Sequence, residues 1–170
     1  MKAYPVPDFM VNPSTEYGSA AAIANLKDRC SKSKALGMTL SRSKELMVVF
    51  ADFGCYVTKY GAPARQSAFV RWETLATSVA FRWPHALLFS PNYIEIRNVE
   101  SGGLVQVVQE RDVRLLYSGP PYEGPVLAAM RGEDDANGKT DSVVELLETA
   151  PIVIEHGQQN DDTLWREWDM

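Results

Sequence analysis

The stretch YIEIRNVESGGLVQVV, Tyr93–Val108, decides how the chain is read. Ile94 and Ile96 alternate with Glu95 and Arg97, the period of two that puts apolar and charged side chains on opposite faces of a strand. Ser101, Gly102 and Gly103 break the run and Leu104–Val108 resumes it, so the stretch reads as two strands around a turn. Catalysis by Glu95 and Arg97 would need a pocket and a third group, and no neighbouring motif supplies either. The pair is therefore expected to line the strand face opposite Ile94 and Ile96, paired across to the next strand or offered to a partner, with another blade, another protein or water as its cover.

Outward from this stretch the pattern repeats. From Gly37 onward short apolar runs alternate with turn residues at intervals of about ten. LGMTL, ELMVVFA, GCYVTKY and SAFVRWE form a first group, and ATSVAF, HALLFS, YIEIRNV and GLVQVVQ a second. VRLLYSG, PVLAAMR, SVVELLE and PIVIE follow. Met38 aligns with Val79, Val48 with Leu88, and Val57 with Ile96 or Arg97, offsets of about 40, the period of a four-stranded propeller blade. The units span about 35–74 and 76–110, with a third starting at Val113. Upstream, Ile23, Leu26 and Cys30 fall on one stripe of a short helix with Ser19 as its N-cap. The expected fold is all-β: a partial β-propeller of about two and a half four-stranded antiparallel blades, led by a short N-terminal helix. Residues 1–34 are the lead-in and helix, 35–156 the blades, and 157–170 an acidic, Trp-containing tail.

Composition bounds the function. A net charge of -5 in 170 residues is not built to neutralise phosphates, which argues against nucleic acid as main partner. No apolar run reaches the ~20 residues of a membrane-spanning helix. The N-terminus lacks the apolar core of a signal peptide, so a cytoplasmic location is expected. In that compartment Cys30 and Cys55 read as reduced thiols. Lys27, Arg29, Lys32 and Lys34 suit the C-terminal end of the helix and are expected to be solvated, with a patch for lipid headgroups (peripheral membrane attachment) or an acidic partner as the sharper alternative.

The middle of the chain resembles the citron homology (CNH) domain, most closely the copy at the C-terminal end of fungal Rho-type guanine nucleotide exchange factors. The matching pieces are Asp52–Val57 (DFGCYV), the turn Lys59-Tyr60-Gly61, the pair Trp72-Glu73, the strand IEIR-x-VE (Ile94–Arg97, Val99, Glu100) and the following LVQ. The resemblance covers about 35–116. Ser101 stands where family copies usually have Thr, Thr74 where they usually have Gly, and Ala51 where a polar residue is commoner.

The resemblance implies a β-propeller blade set for protein–protein contact in small-GTPase signalling. It implies a Rho-family GTPase or another signalling protein as partner. The exchange chemistry of such factors belongs to a separate helical domain, which one short helix cannot supply. The expected role is thus a non-catalytic regulatory module without cofactor. A vacuolar tethering factor or a signalling kinase is the alternative parent. A propeller-type hydrolase and a truncated product without independent function are alternatives of another kind. At ~40 residues per blade a seven-bladed propeller needs about 280 residues, so the chain is expected to be a C-terminal fragment whose open arc leaves apolar flanks for the rest of a larger CNH-containing chain.

Other motifs carry bland readings. Residues 131–145 fail the EF-hand pattern, because Val144 stands where its twelfth-position Glu should be, and a hairpin loop tipped by Asn137-Gly138 explains them. His85 and His156 lie in no zinc-ligand spacing, and His85 after Pro84 reads as a turn residue. SGPPYEGP (118–125) reads as a rigid loop, and Trp72 and Trp83 as blade packing. In the tail, Trp165 and Trp168 are expected to fold back over the last blade or to anchor a partner.

Overall fold

The computed structural model describes residues 20–67, 69–132 and 140–148. Helix α1 (Ala20–Lys32) comes first. Its opening alanines have high helix propensity, and Arg29 and Lys32 in the last turn complement the dipole. Ser19 lies outside the described residues.

Blade 1 is a meander of β1 (Ala35–Leu40), β2 (Leu46–Phe50), β3 (Phe53–Val57) and the short β4 (Val70–Arg71). Blade 2 repeats it with β5 (Ser78–Arg82), β6 (His85–Ser90), β7 (Tyr93–Asn98) and β8 (Leu104–Gln109). Blade 3 has β9 (Arg114–Ser118), β10 (Val126–Arg131) and β11 (Asp141–Glu145) among the described residues. All pairings are antiparallel. The described residues are all-β apart from α1, and the two and a half blades expected from the repeat are present among them. The 40-residue offset is visible in the register: Met38 pairs with Val48 and Val79 with Leu88. Val48 pairs with Cys55 and Leu88 with Glu95, so Cys55 and Glu95 are equivalent positions. PIVIE and the Asn137-Gly138 tip lie outside the described residues.

The blades stack face to face, and period-two alternation decides which junction each side chain enters. Met47, Val49, Tyr56 and Trp72 of blade 1 meet Ala86, Leu88 and Val99 of blade 2. Ala80, Leu87, Phe89 and Ile94 on the opposite face of blade 2 meet Val113, Val126, Ala128 and Met130 of blade 3. Burial on both faces is why HALLFS is a continuous apolar run. The remaining face of blade 1 is not open as expected. Leu26 of α1 packs there against Phe50, Phe53 and Cys55, so the helix occupies the place of a preceding blade.

Gly54 permits the closest approach within blade 1. A Cβ there would collide with Cζ2 and Cη2 of Trp72, whose Nε1 donates to the Phe50 carbonyl at 2.9 Å. Gly54→Ala is expected to cost about 1–3 kcal/mol by overpacking, read from the urea midpoint at unchanged m-value.

Candidate functional site

The first junction is held by one buried ion pair. Glu95 is 0% exposed and Arg97 6%. Both lie on β7 and project from the face turned toward blade 1, opposite Ile94 and Ile96. Of the covers left open for this face, another blade is the one present: blade 2 has no solvated face at this position. Nor is the pair bridged to an opposite charge on the next strand, since Glu95 sits between Leu88 and Val107 in the sheet.

The Glu95 carboxylate is satisfied from both blades. Arg97 Nε donates to Oε1 at 2.6 Å, and a second guanidinium nitrogen pairs with the same oxygen. From blade 1, the Glu73 and Thr74 amides reach Oε2 at 3.1 and 3.3 Å, and the Thr74 hydroxyl reaches it at 3.3 Å. The Arg97 guanidinium lies 5.4 Å from the Trp72 ring centroid and donates to the Gly102 carbonyl at 3.1 Å. A buried charge is costly unless paired and hydrogen-bonded, and this one is both.

The rest of the family-like motif serves the same junction. Tyr56 donates its hydroxyl to the Val99 carbonyl at 2.8 Å, and burial pushes its pKa up, which keeps the donor protonated. Glu100 accepts from the Arg42 amide at 2.6 Å, tying the β7–β8 turn to the β1–β2 turn. Asn98 Oδ1 caps that turn by accepting from the Glu100 and Ser101 amides at 2.9 and 3.0 Å. Gly102 closes it at φ +72°, where an added Cβ would lie 2.8 Å from Val70. Thr74, a departure from the usual Gly, adds its hydroxyl to the Glu95 shell, a role sequence reasoning missed.

Arg29 is not solvated: its guanidinium lies 4.7 Å from the Phe53 centroid and 4.3 Å from that of Phe69, and pairs with Asp52 at 3.4 Å. Trp72 packs in the first junction, as read from sequence. His85 opens β6 and SGPPYEGP links β9 to β10. Trp165 and Trp168 lie outside the described residues. A groove of about 450 Å³ opens between blades 2 and 3, lined by Leu87, Ile94, Ile96, Val108 and Val126 among others. It gathers His85 and Glu148, but its lining offers no hydroxyl or thiol nucleophile. The described residues hold no cluster of three or more metal-ligating side chains and no helix long and apolar enough to span a membrane.

The model of the CNH domain matches residues 12–119. The chain belongs to the CNH family. Among curated proteins it is similar to Rho1 guanine nucleotide exchange factor 2 of Schizosaccharomyces pombe, 36% identical over 75 residues. That match covers 44% of this chain and 6% of the relative. Rho1 guanine nucleotide exchange factor 1 of the same yeast is 37% identical over 75 residues, again 44% and 6%. RHO1 GDP-GTP exchange protein 2 of Saccharomyces cerevisiae is 31% identical over 72 residues, covering 42% of this chain and 5% of that protein. The matched segment is thus a small fraction of each relative's length. A solved structure described as the AfRom2 CNH domain superposes with a TM-score of 0.62 at 24% identity, over 80% of this chain and 42% of that one. The likeness establishes the shared blade architecture.

Two measurements check the junction. Glu95→Ala and Arg97→Ala should each cost about 3–5 kcal/mol, because each leaves a buried charge uncompensated. The double variant Glu95→Leu/Arg97→Met should cost less than the sum of the singles in a urea double-mutant cycle. The second check is pH. Hydrogen bonds from Arg65, at 2.9 and 2.6 Å, hold Glu45 below the usual carboxylate value; burial opposes them and Ser43 assists. A depressed folded-state pKa contributes stability above the unfolded value of about 4.3, and that contribution is lost as pH falls through the folded value. Glu45→Gln should therefore flatten the stability loss below about pH 4.3.

Proposed function

We propose that the chain is a non-catalytic interaction module of a Rho-type guanine nucleotide exchange factor. In this reading it binds a Rho-family GTPase or a regulator of one in the cytoplasm. The observation that carries the proposal is how the motif side chains are used. Glu95, Arg97, Trp72, Tyr56 and Glu100 are committed to holding blade 1 on blade 2. The family signature therefore specifies a rigid scaffold, and recognition falls to the loops that the scaffold carries. The kinship with three proteins named as Rho1 exchange factors supports the signalling context.

The contact face proposed is the end of the blades bearing the β1–β2, β5–β6, β7–β8 and β9–β10 turns. Arg42 there lies 5.6 Å from the Trp83 ring centroid, and Tyr122 packs at 6.1 Å from Trp83 while staying 68% exposed. Tyrosine, tryptophan and arginine are the residues that dominate binding energy at protein interfaces. The Trp83 amide donates to Pro121 O at 2.8 Å, and Arg82 donates to Gly124 O at 2.9 Å, so the β9–β10 turn is held in place before binding.

Pull-down of the 170-residue chain with GTP-loaded and GDP-loaded Rho-family proteins tests the reading. Binding in one state is expected, weakened at least tenfold, about 1.4 kcal/mol, by Tyr122→Ala combined with Arg42→Ala. Absence of binding in both states, with the intact full-length factor binding as control, removes the GTPase reading for this segment.

A further inference from the structure

We propose that Cys30 and Cys55 form a redox-controlled covalent clasp that fixes α1 over the face of blade 1 turned away from blade 2. Cys30 lies in the last turns of α1, and Cys55 lies in the middle of β3. Both are free thiols. They are 25 residues apart in sequence, yet Cys30 packs on the small core built by Leu26, Phe50, Phe53 and Cys55.

The position of Cys55 gives the pair its meaning. Cys55 is the blade 1 counterpart of Glu95, as the shared register with Val48 and Leu88 shows. At Glu95 blade 2 is tied to the layer before it by charge. At Cys55 blade 1 meets the layer before it, which is α1, through a thiol. The helix is already set in register from one end. Arg29 pairs with Asp52, the Ser33 hydroxyl donates to the same carboxylate, and the Ala51 amide reaches the Lys34 carbonyl at 2.9 Å. These contacts hold the turn next to Cys30 on blade 1.

The two thiols are also unequal. The hydrogen bond from Cys55, above all, and the Arg29 guanidinium draw the Cys30 thiol below its ordinary pKa against the effect of burial. The same contact, burial and the neighbouring Cys30 charge push the Cys55 thiol up. Cys30 is half-buried and reachable by a small oxidant, whereas Cys55 is 2% exposed. That assigns Cys30 as the attacking sulfur and Cys55 as the resolving one.

With hydrogen peroxide as oxidant the chemistry balances. The Cys30 thiolate attacks one peroxide oxygen, the O–O bond breaks, and hydroxide leaves to be protonated to water. The Cys55 sulfur then attacks the Cys30 sulfenic acid and gives up its proton. The S–O bond breaks and a second water departs. Two thiols are oxidised to one disulfide and one peroxide is reduced to two waters. A thiol reductant reverses the bond by exchange. Oxidised, the face carrying Phe50 and Phe53 stays covered by α1. Reduced, the helix is held by noncovalent contacts alone and can lift from that face.

The test uses the whole 170-residue chain treated with stoichiometric hydrogen peroxide, then alkylated under denaturing conditions and weighed. The expected result is a monomer lighter by about 2 Da, one hydrogen per sulfur, in which neither cysteine alkylates until dithiothreitol is added. Oxidation should raise Tm by roughly 4–10 °C and slow hydrogen exchange in α1. Cys30→Ser should abolish the mass loss and both shifts. Cys55→Ala should instead trap Cys30 as a sulfenic acid, heavier by about 16 Da. The proposal is overturned if both thiols still alkylate after peroxide. It is equally overturned if Cys30 accumulates oxygen in the unmodified sequence while Cys55 alkylates, or if disulfide-linked dimers form instead. The mass readout on the unmodified chain stands whether or not either variant folds.

Discussion

Glu95 places a carboxylate between two sheets, out of reach of water, and the junction of blades 1 and 2 is organised around satisfying it. Arg97 neutralises it from its own strand, while the Glu73 and Thr74 amides and the Thr74 hydroxyl come from the other blade. Trp72 must then lie beside the guanidinium, and Gly54 must leave room under the indole. Gly102 must turn with positive φ to aim its carbonyl at Arg97. A buried ion pair contributes little net stability compared with apolar packing, but it penalises misalignment heavily. Its function here is registry. Apolar side chains alone would let two flat sheets slide past each other, whereas a carboxylate needing those particular amides admits one alignment.

The same logic explains what the sequence disclosed. Strand positions, the blade period and the three sheets were legible because alternation and turn residues mark them locally, as in Ser101-Gly102-Gly103. What covers the face of Glu95 and Arg97 was not legible. Alternating apolar and charged residues ordinarily mean a half-wet strand, and IEIR carries that pattern while both of its faces are covered. The neighbouring strand offered the correcting signal. HALLFS has no polar face, so β6 must be buried on both sides, and β7 lies beside it. The two strands cannot sit in different environments.

Arg29 was misread for a related reason. On a helix end beside Lys27 and Lys32 it counts as one more solvated charge, yet a guanidinium can lie flat on aromatic rings as an ammonium cannot. Phe53 and Phe69 come from segments far along the chain, and only the fold brings them over Arg29. The proximity of Cys30 to Cys55 has the same origin. The expected compartment implied that both are thiols, and nothing in it brought one near the other.

An arc of blades should expose an apolar flank at each end, and α1 shows how one end is closed. Its buried Leu26 and its Arg29 meet the face of blade 1 whose equivalent on blade 2 carries Glu95 and Arg97. The repeat thus places one task at one position in successive layers and lets the chemistry vary: charge between blades 1 and 2, a guanidinium over aromatic rings and thiols between α1 and blade 1. A helix is a poorer match to a sheet face than another sheet, since it covers a narrower strip and pairs with no strand. That makes α1 the layer most readily displaced, and the contacts gathered at its C-terminal end, Arg29 with Asp52 and Ser33 with Asp52, are what resist displacement.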